Sequence, residues 1–373
     1  MTLYSIPTVM MRGGTSKGLY FHQKDLPRNS LERDKMLLKI MGSPDPMQID
    51  GLGGTYSSTS KIMVVWKSEK KGYDLDYLFG QVAIDQPVID YGTNCGNLTS
   101  AVGPFGIDEK LVEAKDKETT LNLYNVNTRK KVIVKFPIKD GHTFYEGNYE
   151  IDGVPGTGSR IDCTFYDPAG TISDKSLPTG NPIDKIDTGE EKIDCSIVDV
   201  TSPYVFVRAH DVGFKGTELP NESNTNIKSL EKLERIRSVV AEMLGIVKDR
   251  KDALKKSPSS PRIAFVSPPA DYKSGLDKMV KASQVNLVAR ALSLGKAHHA
   301  YPITGAMCTA SAALLKGTVV QEIAVNIREN VVIIGHSKGI VDVSLETSKD
   351  RINSINIGRT ARRLIKGEAY YIK

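Results

Sequence analysis

Apolar and polar residues follow one another along this chain with two periods, and the two-residue period of β-strands dominates. Leu3 to Met11 is apolar with a proline near its start and predicts a first strand, and Leu19 to Phe21 predicts a second. Ile62-Met63-Val64-Val65-Trp66 is apolar at successive positions, as in a strand buried on both faces. Asp74 to Val82 alternates, and Thr119 to Asn125, Lys131 to Phe136 and Thr143 to Tyr149 read as further strands. The helical period shows first at Ser30 to Met41, through the spacing of Leu31, Met36, Leu37 and Ile40. Ser30 is its expected N-cap, and Gly42 with Pro44 its stop.

The second half repeats this mixture. Ile197 to Ala209 is strand-like and broken at Ser202-Pro203. Ile227 to Val247 is the most regular helix, with Leu230, Leu233, Ile236, Val239, Val240, Met243 and Leu244 in one stripe. Arg262 to Val266 returns as a strand, and Gln284 to Leu292 fits helix and strand equally. Val331 to Ile334, Ile340 to Leu345 and Arg359 to Ile372 close the chain as strands. The stretch Asp167 to Glu191, rich in Pro, Gly, Asp and Lys, reads as a linker. With 373 residues the chain exceeds the ~250–300 of a single core, so two domains are expected, 1–185 and 186–373. One echo connects them: Thr93 to Val102 and Thr304 to Ala313 are both turns that carry a cysteine into a helix of small residues.

Composition narrows the function. The chain is 40% hydrophobic and 25% charged, ordinary for a globular protein. A net charge of +6 is spread along the sequence, without the basic, aromatic-interleaved stretch of a nucleic-acid binder. Met1 to Met11 lacks the pattern of a secretory signal, and no apolar run approaches the ~20 residues that span a bilayer. A cytoplasmic protein with no membrane or nucleic-acid partner is the expectation. The cysteines Cys95, Cys163, Cys195 and Cys308 lie far apart with no CxxC pair, which argues against a metal site or disulfide framework.

Candidate chemistry concentrates in a few turns. Val88-Ile89 ends a strand, and the turn from Asp90 to Cys95 leads into Leu98 to Val102, a helix start with Asn97 as its expected N-cap. A thiol just before a helix lies among unpaired N–H groups at the positive end of the dipole, a setting that favours thiolate and seats carboxylates. The competing reading is a cysteine acting as a small hydrophobe, but Cys95 has little apolar company in this turn. Met11-Arg12-Gly13-Gly14-Thr15-Ser16-Lys17-Gly18 is either an ordinary hairpin turn or an anion cradle. It lacks the spacing of a nucleotide-binding P-loop. Gly51 to Lys61 packs glycines and hydroxyls into one loop, a solvated connection or a donor-rich pocket wall. Lys61 opens an apolar strand, so it is either a solvated strand end or a desolvated lysine whose neutral, basic form is favoured. Val154 to Ile161 is a third glycine–hydroxyl loop. His298 and His299 fit a cleft lining and a capping or core role alike, and Cys308, inside its helix, reads as structural.

Taken together, Arg12-Gly13-Gly14-Thr15-Ser16-Lys17-Gly18, Thr59-Ser60-Lys61, Asn94-Cys95-Gly96-Asn97 and His299 to Met307 resemble the 2-methylaconitate cis–trans isomerase (PrpF) family, relatives of diaminopimelate epimerase. The segments span most of the chain in the family's order. The resemblance implies an α+β fold of two similar domains, each a mixed, mostly antiparallel sheet rolled around a central helix, with the active site in the cleft between them. It places the catalytic pair on Lys61 and Cys95, 34 positions apart. Around that pair, Arg12 and Lys17 are expected to neutralise substrate carboxylates. Thr15, Ser16, Ser60, Asn94, Gly96 and Asn97 would contact substrate, joined by Gly156, Thr157, Gly158 and Ser159 and by Gly305, Ala306 and Met307. Amino-acid epimerases of this fold use a second cysteine, and the corresponding turn here reads Gly305-Ala306-Met307. The implied activities are methylaconitate isomerisation, methylitaconate double-bond migration and oxalomesaconate tautomerisation, all without a cofactor or metal. The expected partner is a small anionic polycarboxylate, and a homodimer is compatible with the sequence. A racemase of the same fold and a non-catalytic small-acid binder are the rival readings.

Overall fold

The two-residue period becomes β-ladders in the computed structural model of the chain, which describes residues 2–115, 117–348 and 351–372. Contacts divide the chain into two units, Met1–Thr164 with Gly358–Lys373, and Phe165–Ile357.

In the first unit, Leu3–Gly13 and Ser16–His22 form a hairpin in which Gly13 faces Ser16. Ser16–His22 runs parallel to Lys61–Lys67, which pairs antiparallel with Leu75–Val82. Leu75–Val82 is parallel to Glu118–Asn125, and that strand is antiparallel to Lys130–Lys139. Each parallel step needs a crossover, and both crossovers are helical. The helix Ser30–Met41 packs Met36, Leu37 and Ile40 against Leu19, Phe21 and Ile62 on one face of the sheet. The short helices Gly96–Thr99 and Val102–Asp108 lie on the other face, where Tyr20 Oη donates to Leu98 O at 2.5 Å and the Tyr20 ring sits tilted against Phe105. The N-cap of the first helix is Asn29 rather than Ser30, since the Asn29 side chain accepts from Leu31 N and Glu32 N. Ala361–Ile372 returns to pair along Leu3–Gly13.

The second unit has the same plan. A hairpin of Lys192–Val200 and Ser202–Arg208 lies parallel to Arg262–Ser267, which is antiparallel to Leu287–Ser293. Val331–His336 follows in parallel and Gly339–Ser348 antiparallel to it. Helix Ile227–Met243 covers one face through Leu233, Ile236 and Val240. Helix Ile303–Leu314 is buried along almost its whole length, which its run of Ala, Gly, Ser and Thr permits. The segment that fitted helix and strand equally is the strand Leu287–Ser293, because it has ladder partners on both sides.

Two further sequence expectations are corrected, and one strand is added to them. The stretch Asp167 to Glu191 is not a free linker, and the division falls at 164/165. Within it Asp184–Asp187 pairs with the strand from Lys192, and the buried Asp199 carboxylate accepts from Thr171 Oγ1 and Ile172 N. Thr143 to Tyr149 is strand only at its ends, His142–Thr143 and Tyr149–Glu150. Arg351–Arg359 is a strand that sequence reading missed, because Asn353, Ser354 and Asn356 interrupt its apolar Ile352, Ile355 and Ile357. Among the described residues, no helix is long and apolar enough to cross a membrane.

Candidate active site

Lys61 is the first residue of its strand and only 4% exposed. Its Nζ donates to Gln81 Oε1 at 2.5 Å, directly across the ladder, and lies 5.0 Å from the centre of the Phe79 ring. Gln81 is held in place from its other end, where Nε2 donates to the carbonyls of Ser57 and Ser60, each at 3.0 Å. The amide oxygen is therefore presented to the lysine as a neutral acceptor. Gln81 was missed in the sequence, although a lone polar residue among Leu78, Phe79 and Val82 was a readable signal.

The glycine–hydroxyl loop before Lys61 is tied rather than solvated. Gln48, buried and at φ +46°, accepts from Ser60 Oγ at 2.6 Å and Thr55 N at 2.9 Å and donates to Ser43 Oγ. The Ser60 hydroxyl proton is thus committed to Gln48.

Cys95, not Asn97, is the N-cap of Gly96–Thr99, and its Sγ accepts from Leu98 N at 3.5 Å. The same sulfur is 3.9 Å from Ser16 Oγ. The N–H groups of Gly96 and Asn97 have no acceptor among the described residues. Asn94 Oδ1 is also buried without a partner. The Asn97 side chain reaches back to the hairpin instead, donating to Thr15 Oγ1 at 3.0 Å and accepting from Thr15 N at 3.3 Å.

That contact explains the paired glycines of the hairpin tip. Gly14 has φ +49°, and a Cβ there would sit 2.0 Å from Asn97 Oδ1. Gly14→Ala should therefore displace Asn97 and cost roughly 1–3 kcal/mol, with lost turnover. Gly72→Ala is the control, at φ +87° with nothing within 4 Å. Thermal unfolding of both checks the claim. Equal losses would mean that the tip moves aside freely.

Strand alternation decides which expected residues meet. Ser16, Gly18 and Tyr20 face the Gly96–Asp108 helices, and a Cβ on Gly18 would touch both Lys61 O and Leu98. Lys61 shares that face, since its neighbour Ile62 packs on the opposite one with Leu19 and the Ser30–Met41 helix. Lys61, Gln81, Ser16 and Cys95 thus gather on one side of one sheet. Arg12 and Lys17 are ladder partners, and Lys17 alternates with Ser16, so both start from the other side. Arg12 Nη1 donates to Gly14 O, Thr360 O and Thr360 Oγ1, each at 3.0 Å. Burial, and then the neighbouring Arg362, push the Arg12 guanidinium down to about 10, so it stays charged at neutral pH.

Gly156 to Ser159 folds into a small hairpin with Tyr149–Glu150, and Ser159 Oγ donates to Phe144 O. Gly158 lies against Thr360, the residue that holds Gly14 and Arg12. Gly305, Ala306 and Met307 lie in the first two turns of the second unit's buried helix, with Gly305 against Tyr204. His298 Nδ1 accepts from Ala300 N, a local cap. Cys308 Sγ donates to Val198 O and burial holds its thiol far above the usual range, as a structural cysteine requires.

A profile of the PrpF protein family matches residues 3–372. The chain is 38% identical to the 2-methyl-aconitate isomerase of Shewanella oneidensis, covering 97% of this chain and 96% of that protein. It is 36% identical to the (4E)-oxalomesaconate Delta-isomerase of a Novosphingobium species, covering 98% and 97%. Among solved structures it matches a methylitaconate-delta-isomerase with a TM-score of 0.80 and 40% identity, over 100% of this chain and 96% of that one. The fold is α+β, and the protein is an isomerase. The chain belongs to the PrpF family.

Proposed function

We propose that this protein moves a proton within a small unsaturated di- or tricarboxylate, shifting or isomerising its C=C bond, with Lys61 as base and Cys95 as acid. The observation that carries the reading is the placement of a buried lysine, held by a neutral amide, on the same sheet face as a thiol that caps a helix. Burial of this depth disfavours the charged ammonium relative to the neutral amine, the form that a base requires. The amine takes the allylic proton, and the C–H electron pair delocalises into a dienolate. Ser16 Oγ and the unpaired N–H groups of Gly96 and Asn97 supply donors to that anion, each worth roughly 3–4 kcal/mol when well placed. Cys95 Sγ–H returns a proton to the far end of the allyl system, leaving Lys61 as ammonium and Cys95 as thiolate until a proton passes back. For a cis–trans change, rotation occurs about the bond that is single in the dienolate and the proton returns to the carbon it left, which regenerates the original C=C bond. Ser60 and Gln48 hold the loop, and Arg12 holds the hairpin tip.

The relatives' substrates define the test. The protein in deuterated water is mixed with 2-methylaconitate, methylitaconate, oxalomesaconate or aconitate and followed by proton NMR. Deuterium entry together with isomer formation for at least one of them is expected. Silence across the panel, with exchange on proline or another amino acid, would replace this reading by racemisation.

A further inference from the structure

The two units repeat one another in register as well as in strand order. In the first unit Met11 pairs with Gly18, Gly18 lies beside Lys61, and Lys61 faces Gln81. In the second, Val198 pairs with Tyr204, Tyr204 with Arg262, and Arg262 lies across from Ser293. At the other end of the sheets, Leu75–Leu123–Val132 corresponds to Leu287–Ile334–Val341. Arg262 therefore occupies in the second unit the position that Lys61 occupies in the first.

The chemistry around it is also repeated. Both cations open their strand, and both follow a hydroxyl-rich loop, with Ser58 and Ser60 buried before Lys61 and Ser259 and Ser260 buried before Arg262. Gly18 rests on the first unit's helix, while Tyr204 reaches Gly305 in the first turn of Ile303–Leu314. Arg262 is 4% exposed, donates from Nη1 to Ser293 Oγ at 3.2 Å, and leaves Nε buried without a partner. No carboxylate pairs with it among the described residues. Two other deeply buried arginines of this unit show what a structural role looks like: Arg290 donates to three backbone carbonyls, and Arg237 is held more fully still. Arg237 has Glu234 on two nitrogens and three backbone carbonyls on the third. A guanidinium left with one hydroxyl and an idle N–H is built for an anion that arrives from outside.

We propose that Arg262 is a carboxylate-binding group of the second unit, taking a planar carboxylate on its guanidinium edge. The inference rests on the proposed function only in the class of ligand, a small polycarboxylate. That carboxylate belongs either to the substrate or to a separate small acid, and the experiment separates the two.

Full-length wild type, Arg262→Gln and Arg262→Lys are compared by calorimetry with tricarballylate, an unreactive tricarboxylate. KM and kcat are measured on whichever panel acid turns over. Arg262→Gln should bind tricarballylate at least 10-fold more weakly, and Arg262→Lys should fall between. A matching rise in KM with kcat little changed assigns the carboxylate to the substrate. Loss of a binding event with KM unchanged assigns it to a separate acid. Unchanged affinity and KM in folded Arg262→Gln would overturn the proposal, as would wild type that fails to bind millimolar tricarballylate. If Arg262→Gln does not fold, the arginine Nε–H resonance of wild type that disappears in Arg262→Lys must shift at saturating tricarballylate; an unmoved resonance overturns the proposal. If no panel acid turns over, the proposed function fails while the tricarballylate experiment still decides Arg262.

Discussion

Lys61→Arg should fold, bind substrate and fail to wash deuterium into it. Arginine keeps the positive charge but does not deprotonate in a protein, so a role as charged anchor survives the change and a role as base does not. The side chain it replaces is buried against Phe79 and hydrogen-bonded to Gln81, so the variant must be shown to melt cooperatively before its activity is read. Lys61→Ala should lose turnover by about 10²-fold or more, with some return on adding small primary amines. Gln81→Leu would remove the neutral acceptor and should lower kcat by less, because the base itself remains. Wild-type exchange rates in Lys61→Arg would show that Lys61 only anchors a carboxylate.

The second large effect is at Cys95. Cys95→Ser replaces a weak sulfur cap by an oxygen that caps helices well, so the fold should be as stable as wild type. Turnover should nonetheless fall about 10²-fold or more, since a serine hydroxyl is a far poorer proton donor in this role. Alkylation gives an independent reading of the same group. Cys163, Cys195 and Cys308 are 0% exposed while Cys95 is 7% exposed. Burial pushes the Cys163 thiol up to about 12 and raises the other two as well, so all three remain protonated from pH 7 to 9. Iodoacetamide at neutral pH should therefore label Cys95 first, read by peptide mass spectrometry, and a substrate analogue should slow it. First labelling elsewhere, or near-full activity in Cys95→Ser, would remove Cys95 from the mechanism.

The hydrophobic pattern was enough for most of the strands and for the two amphipathic helices, because each has a local period that survives without its partners. It went astray where the fold is made by distant contacts. Asp167 to Glu191 reads as a linker by composition, yet the buried Asp199 and the 184–187 ladder hold it in the second unit. Asn97 reads as a cap, but its amide is drawn 82 residues back to Thr15, and the cysteine beside it does the capping.

By itself the sequence determined most of the element types and the family, and through the family resemblance it pointed to the two residues on which the proposed chemistry turns. Those depend on residue identity and short-range spacing, which a linear reading preserves. Only the tertiary structure decided that Lys61 meets a neutral Gln81, that Arg12 and Lys17 start from the sheet face away from Cys95, and that Arg262 stands where Lys61 does. The reason is strand register. A shift of one residue turns every side chain to the opposite face, and register is set by pairings between segments far apart in the chain.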